Sequence, residues 1–469
     1  MIWLKLAALL SLWLIVPAGT AWLAGRGAAW RRAMIALLVF SFCWQPLMTF
    51  GYQFGSKYNV RGWEFGVPEM IAAGLLVANL DARHVLRWLS PVLLLWLLHV
   101  AVLVAAAICG ISLETSAWYL WRMARATFVF LALTLSLRGR RDFEAAIVGL
   151  ALTALWNEWV VLLQKYAWGR HQTRGVFDHQ NMMGMYMILV GTTLFSVWIF
   201  RAASTGVRWA LFIAFVASTH SVFAGLSRGS MFFYAVAVGA TAVSALVLAP
   251  DRHKLRALGL LGGVVLVGAL FMTNAVVARF QDRGNYASGR TREVMNLVAD
   301  QMHRDHPLLG LGPNNYALAV NHQRYARTFD IIDRERGLGT PVDLRRGLVE
   351  SLYHGMRAEG GTLGHVSLLL FIAATLILML YKLFACTDPL GRALALAAFW
   401  SLCASYVQCT LEHTLLHAQN LYLWLTLVAI GVAIPRRGWA VDAPEDGARL
   451  RAVIPPPSRP APAGPGFWA

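Results

Sequence analysis

The sequence predicts an all-α polytopic membrane protein of about twelve to thirteen transmembrane helices, interrupted once by a long, partly helical external loop. Three observations predict it. The chain is 58% hydrophobic and only 14% charged, with a mean hydropathy of +0.55, whereas soluble domains run near 45–50% apolar and about 25% charged. Thirteen apolar segments are long enough, or nearly so, to cross a bilayer. Basic residues recur in every second connection between them. The formal charge of +17 would suggest nucleic acid in a soluble protein. Here the arginines mark membrane boundaries, and no nucleic-acid partner is expected.

The predicted spans are 2–24, 33–50, 65–80, 88–112, 117–137, 144–166, 182–200, 209–226, 230–249, 256–278, 362–384, 392–411 and 416–434. The first carries Lys5 early, as a signal peptide would, but it is long and many spans follow it. Span 65–80 is short enough to be re-entrant. Arg125 lies inside the fifth span, with no partner assignable from sequence. Basic connections such as Arg26 to Arg32, Arg138 to Arg141 and Arg252 to Arg256 are expected in the cytoplasm, with the N-terminus outside and the C-terminus inside. Loops 51–64, 167–181, 227–229, 279–361 and 412–415 are then external. The division is residues 1–278 as ten helices, 279–361 as a loop domain, 362–434 as three helices, and 435–469 as a disordered cytoplasmic tail rich in Pro, Ala and Gly.

Loop 279–361 is too long to be a simple connection. It holds twelve Arg, no Lys and ten acidic residues, so its net charge is small. Helices are expected over 292–304 and 344–358. The five cysteines, Cys43, Cys109, Cys386, Cys403 and Cys409, fall in or beside apolar stretches without metal-ligand spacing. The phosphate-loop pattern and the zinc-protease HExxH pattern are absent, so ATP hydrolysis and zinc proteolysis are not supported.

Four external clusters concentrate the chemistry. Arg228 stands in Leu-Ser-Arg-Gly-Ser at a membrane boundary. A charge there needs a partner or a cavity, and an anionic headgroup or a pyrophosphate fits; the alternative is an interfacial arginine that snorkels to water. Residues 170–181 hold Arg170, Arg174, Asp178, Gln180 and Asn181 at a helix entry, where caps and anion sites form. Ser288-Gly289-Arg290 opens a helix and is followed by a turn from His306 to Tyr316. In a helix over 344–358, Arg346, Glu350, His354 and Arg357 would share one face. That face offers a carboxylate or an imidazole as general base, or else a salt-bridged helix surface.

In these clusters the sequence resembles the O-antigen ligase/polymerase superfamily of bacterial inner-membrane glycosyltransferases. Gly175 to Asn181 follows a "GxFxxxN" pattern, Ser227-Arg228-Gly229 an "SRG" and Ser288-Gly289-Arg290 an "SGR". His306 to Tyr316 follows "HPLxGxGxxxY". Glu350 through Tyr353, Glu359 and Gly364 follow "HNxYLxxxxExGxxG", with Glu350 where that pattern has His. The resemblance implies a GT-C-like fold and glycan transfer at the periplasmic face of the inner membrane. The donor would be an undecaprenyl-diphosphate-linked saccharide. The acceptor would be another lipid-linked glycan (a polymerase) or lipid A-core (a ligase), and the Glu350 departure favours the polymerase.

The implied catalytic residues are Glu350 or His354 as base, with Arg228 and Arg290 stabilising the leaving diphosphate. Arg174, Gln180, Asn181, His306, Tyr316, Arg346, Tyr353 and Arg357 would bind substrate. No metal and no cofactor are expected, because arginine can neutralise a diphosphate. Membrane lipids and other polysaccharide-assembly proteins are the remaining expected partners. A lipid-linked oligosaccharide flippase is the non-enzyme alternative. Its polar residues would be expected near mid-membrane rather than crowded on one external face.

Overall fold

The structure, a computed structural model, describes residues 2–44, 48–51, 60–79, 90–202, 204–248, 250–259, 262–263, 277, 285–337, 348–436 and 439. The predicted span 256–278 and the tail 435–469 lie largely outside these residues. The helices are α1 (Ile2–Gly25), α2 (Ala28–Ser41), α3 (Val67–Ala78), α4 (Pro91–Ile108), α5 (Leu113–Ser136), α6 (Arg140–Leu162), α7 (Gln180–Ile199), α8 (Thr205–Ala224) and α9 (Arg228–Leu248). They continue with α10 (Asn285–Asp305), α11 (Tyr316–Ala319), α12 (Gln323–Glu335), α13 (Leu352–Ala385), α14 (Pro389–Gln408) and α15 (Ala418–Ala433).

Among the described residues, eight helices are long and apolar enough to cross a membrane. The chain is thus an all-α, multi-pass membrane protein. Predicted spans 33–50, 65–80 and 416–434 are shorter than expected, the last forming the 16-residue α15. Helix α3 has 12 residues, or roughly 18 Å at about 1.5 Å per residue, too short for a hydrocarbon layer of about 30 Å. The apolar run 33–50 does not stay helical. Helix α2 ends at Ser41, and Met48–Phe50 (β1) instead pairs antiparallel with Trp63–Phe65 (β2), Thr49 opposite Glu64. This small hairpin supplies the partners missing for Arg125. Glu64 on β2 and Glu69 on α3 each lie 2.6 Å from its guanidinium, and Arg122 Nη2 meets Glu64 at 2.8 Å. Paired and hydrogen-bonded, the buried charges escape the penalty of an isolated one.

Helix α7 is the axis of the bundle. Its apolar surface runs all the way round, and from Met182 to Ile199 every residue is buried, as an all-round apolar helix requires. It packs on α8, α9 and α14. Glycines set its distance from α9: a Cβ at Gly191 would lie 2.5 Å from Tyr234 Oη, and one at Gly184 would overlap Ser230. Small residues at such crossings let membrane helices approach closely. By contrast, only 11% of the apolar window in α1 is buried, so most of its surface is left for lipid.

Among the described residues, connections meet one another at two ends of the bundle. At one end Arg31 meets Asp142 at 3.3 Å, Arg140 meets Asp388 at 3.0 Å, and Arg140 Nη2 donates to Ala202 O at 2.9 Å. At the other, Thr173 N donates to Ala224 O, Leu352 N to Cys409 O and Ile111 N to Leu311 O. There the long loop builds a core of its own, with Val298, Met302, Tyr316 and Phe329 at its centre.

Candidate functional site

The site is assembled from four chain segments at that second end. The first is the entry to α7. Helix α6 finishes in a π-helical turn, Leu163–Ala167, a feature often found at functional sites. The turn carries Gln164, whose Oε1 accepts from Arg174 N and Gly175 N, both at 2.9 Å, while Nε2 donates to Gly175 O at 2.7 Å. Asn157 Oδ1 accepts from Val176 N at 3.1 Å. Gly175 has φ +57 and abuts the Asn157 amide, so only glycine fits there. The cap of α7 is none of the residues expected: His179 Nδ1 accepts from Asn181 N at 3.2 Å. Gln180 and Asn181 are the first helical residues. The Arg174 guanidinium donates to Asp178 O at 3.0 Å.

The second segment is the start of α9. Ser227 Oγ accepts from Ser230 N at 3.4 Å and so caps the helix that Arg228 opens. Arg228 is half-buried and forms no ion pair with any described residue. The third is α10. Arg290 lies in its early turns, but its side chain is outside the described residues. The arginine that engages the site is Arg292, in direct contact with Glu350.

The fourth segment joins α14 to α15. Glu412 is 6% exposed. Its Oε2 accepts from Gln408 Nε2 at 3.3 Å, which also donates to Ser230 Oγ at 3.2 Å. Its Oε1 would be 3.6 Å from a Cβ at Gly229, so the carboxylate lies against the first turn of α9, the helix that Arg228 opens. Burial pushes the Glu412 carboxyl up to about 7, opposed by Arg292 and Gln408 and reinforced by Glu350. Burial also raises Glu350, with Arg292 pulling it back. His179 is lowered by burial, then by Arg292 and Arg174. Arg292 is therefore the common neighbour of Glu350, Glu412 and His179. His413 is pushed down to about 4 by burial and by Arg122; its Nε2, like Gln408 Oε1, is buried without a hydrogen-bond partner.

The expected helix over 344–358 does not form as drawn. Residues 348–351 are not helical and α13 begins at Leu352, so Glu350 does not share a helix face with His354 and Arg357. Arg346 is outside the described residues. Glu350 turns to Arg292, whereas His354 Nδ1 and Arg357 Nη1 both meet Asp300 Oδ1, at 3.0 and 3.2 Å. His354 and Arg357 line a cavity of about 320 Å³ with Tyr353, His365 and Leu369. The Tyr353 hydroxyl donates to Tyr406 O at 2.8 Å.

The two glycine-rich motifs close on each other. Leu311 N and Gly312 N donate to Ala358 O and Glu359 O, both at 2.9 Å, and Thr362 N donates to Pro307 O at 2.8 Å. Glu359 Oε1 accepts from Tyr316 N at 2.9 Å. Tyr316 is buried, its hydroxyl bonded to Met295 O at 3.1 Å, and so packs the loop core rather than facing a cavity. His306 is exposed.

Sequence reasoning therefore reached Glu350, Arg228 and Arg174 but passed over Arg292, Glu412, His413 and His179. Glu412 and His413 had a readable signal: an ionisable pair between two apolar spans is a functional candidate by default. No protein-family model matches this chain, and no curated protein matches it.

Proposed function

We propose that the chain is a membrane glycosyltransferase of the polysaccharide-polymerase type. It moves a glycan from an undecaprenyl-diphosphate-linked donor to the hydroxyl of a lipid-linked acceptor, at the periplasmic face of a bacterial inner membrane. The observation that carries the reading is the Glu350–Arg292–Glu412 cluster, set against the first turn of α9, which Arg228 opens. It combines what the reaction needs: a proton acceptor, and cations for a departing diphosphate.

In the proposed step the acceptor oxygen attacks the anomeric carbon as its proton passes to Glu350. The new C–O bond forms as the bond to the diphosphate breaks, and the anomeric centre inverts. Arg228, with Arg292 and Arg174, takes up the charge developing on the leaving diphosphate. Glu350 is preferred to His354 because its side chain is 36% exposed and borders the arginines, whereas His354 is tied to Asp300. The positive-inside pattern supports the periplasmic placement.

The test is a reconstituted assay with a lipid-diphosphate-linked repeat unit, with and without lipid A-core. Glycan ladders formed without core support the polymerase. A single transfer that requires core identifies a ligase instead. No transfer under either condition, together with lipid translocation that survives Glu350→Gln and Glu412→Gln, overturns the enzyme reading in favour of a flippase.

A further inference from the structure

The cavity at the head of α13 is separate from the Glu350 cluster in its partners and differs from it in chemistry. It is lined by Tyr353, His354, Arg357, His365 and Leu369 and encloses about 320 Å³, at the small end of the roughly 300–1,000 Å³ of ligand pockets. Helix α13 breaks at Gly361, φ 63. Before the break stand Tyr353, His354 and Arg357. After it the helix turns apolar and exposes Leu363, Val366, Leu369 and Leu370 by 40 to 48%, as a lipid-facing surface does. The cavity thus joins a polar head to a greasy flank, at the level where a lipid headgroup meets its chain.

Its polar groups can donate to an anion: one guanidinium stands among three imidazoles. His303 Nδ1 lies 3.1 Å from Arg357 O, and His303, His354 and Arg357 are all close enough to His365 to act on it electrostatically. Among the described residues, Asp300 is the only carboxylate bonded to the lining, and it is shared between His354 and Arg357. One nitrogen of His365, Nδ1, is buried without a hydrogen-bond partner. A guanidinium flanked by imidazoles is suited to phosphate oxygens.

We propose that this cavity binds the diphosphate head of a second polyprenyl-type lipid, so that the protein holds two lipid diphosphates at once. Identifying that second lipid as the acceptor rests on the transferase reading above; the binding itself does not. A polymerase joining two lipid-linked chains needs two such sites, and the Arg228–Arg292 cluster supplies only one.

The experiment uses the full chain in nanodiscs of phosphatidylcholine, titrated with farnesyl diphosphate and read by native mass spectrometry. Wild type should take up a second equivalent. Arg357→Gln should weaken that equivalent about ten-fold, the effect of losing one charge-assisted contact. Leu369→Trp, which fills the cavity from the lipid side and keeps the ion pairs, should do the same. Arg292→Gln should spare this equivalent while weakening the other.

A single equivalent in wild type, or two that survive both Arg357→Gln and Leu369→Trp, overturns the proposal. Inorganic pyrophosphate binding as tightly as farnesyl diphosphate removes the lipid from it. Displacement by phosphatidylglycerol reassigns the cavity to a phospholipid headgroup. If no glycan transfer is found but the Arg357-dependent equivalent persists, the transferase reading fails and the site stands.

Discussion

Two buried carboxylates, Glu412 and Glu359, show how similar sequence signals part company in the folded chain. Both lie near the same end of the bundle, and both belong to segments rich in Gly, His or Arg. Glu359 is fully occupied. It accepts from the backbone of Tyr316 and sits inside a clasp in which Leu311, Gly312, Thr362 and Leu363 all find backbone partners. Glu412 shares the Gln408 side-chain amide with Ser230 and faces Arg292 and Glu350. Around it Gln408 Oε1 and His413 Nε2 are left without partners. The clasp is chemically finished and the cluster is not. Buried polar groups left unsatisfied are expected where a structure serves something other than its own stability.

The sharpest way to break this contrast is to neutralise a carboxylate on each side of it. Glu350→Gln should cut glycan transfer by about 10²–10⁴, the usual contribution of a general base, and leave the melting temperature where it was. Glu359→Gln should do the reverse. It should lose about 1–3 kcal/mol by placing an amide where only an acceptor is wanted, while turnover per folded molecule is kept. Thermal unfolding and transfer assays on the same two samples decide it. Equal losses of activity would merge the two regions into one site.

The next effect is purely structural. Gly310 has φ +67, and a Cβ there would lie 2.6 Å from Ala358 O. Gly310→Ala should destabilise the clasp by at least about 1–2 kcal/mol, the cost of the left-handed conformation alone. Gly229→Ala is the counterpart. Its Cβ would meet Glu412 Oε1 at an ordinary 3.6 Å, so stability should hold. Protease sensitivity of the 285–337 segment should rise in the first variant only.

What was legible in the sequence follows the same division. Hydropathy gave the helical, multi-pass class, because it acts over whole segments. The hairpin at Met48–Phe50 was hidden because an apolar run of that length reads equally as helix, and its purpose, to bring Glu64 to Arg122 and Arg125, is a long-range pairing. Arg292 was passed over because its contact with Glu350 is a pairing between residues 58 apart in the chain, which no local motif signals. Glu350 was found by its type but given the wrong neighbours, since residues 348–351 precede α13 rather than extend it.

A smaller effect sharpens the site side of the comparison. Glu412 takes up its proton at about 7, above the ordinary carboxylate range. Below that pH its negative charge is gone, Arg292 is held by Glu350 alone, and Glu350 becomes a weaker base. Transfer should therefore fall as pH drops through about 7. Arg292 lowers the Glu412 carboxyl, so Arg292→Gln should move this limb to higher pH, and Glu412→Gln should abolish it. Stability has the opposite sign. The folded state holds this proton more tightly than the unfolded chain, so the Glu412 contribution to stability declines as pH rises from the ordinary carboxylate value of 4.5 to about 7.

The smallest expected effect is none. A departing diphosphate needs positive charge, which a divalent cation or a set of guanidiniums can supply. In the Glu350 cluster the carboxylates are engaged, Glu350 by Arg292 and Glu412 by Gln408. Arg228 has no ion pair among the described residues and is free to meet an anion. A metal bridging the diphosphate would have to take a carboxylate from Arg292 or Gln408, whereas a diphosphate can add directly to Arg228. Transfer by the purified protein should then be unchanged by a chelator in magnesium-free buffer. A loss that added magnesium restores would move the positive charge of the reaction from the arginines to a cation, leaving Glu350 and Glu412 to hold it.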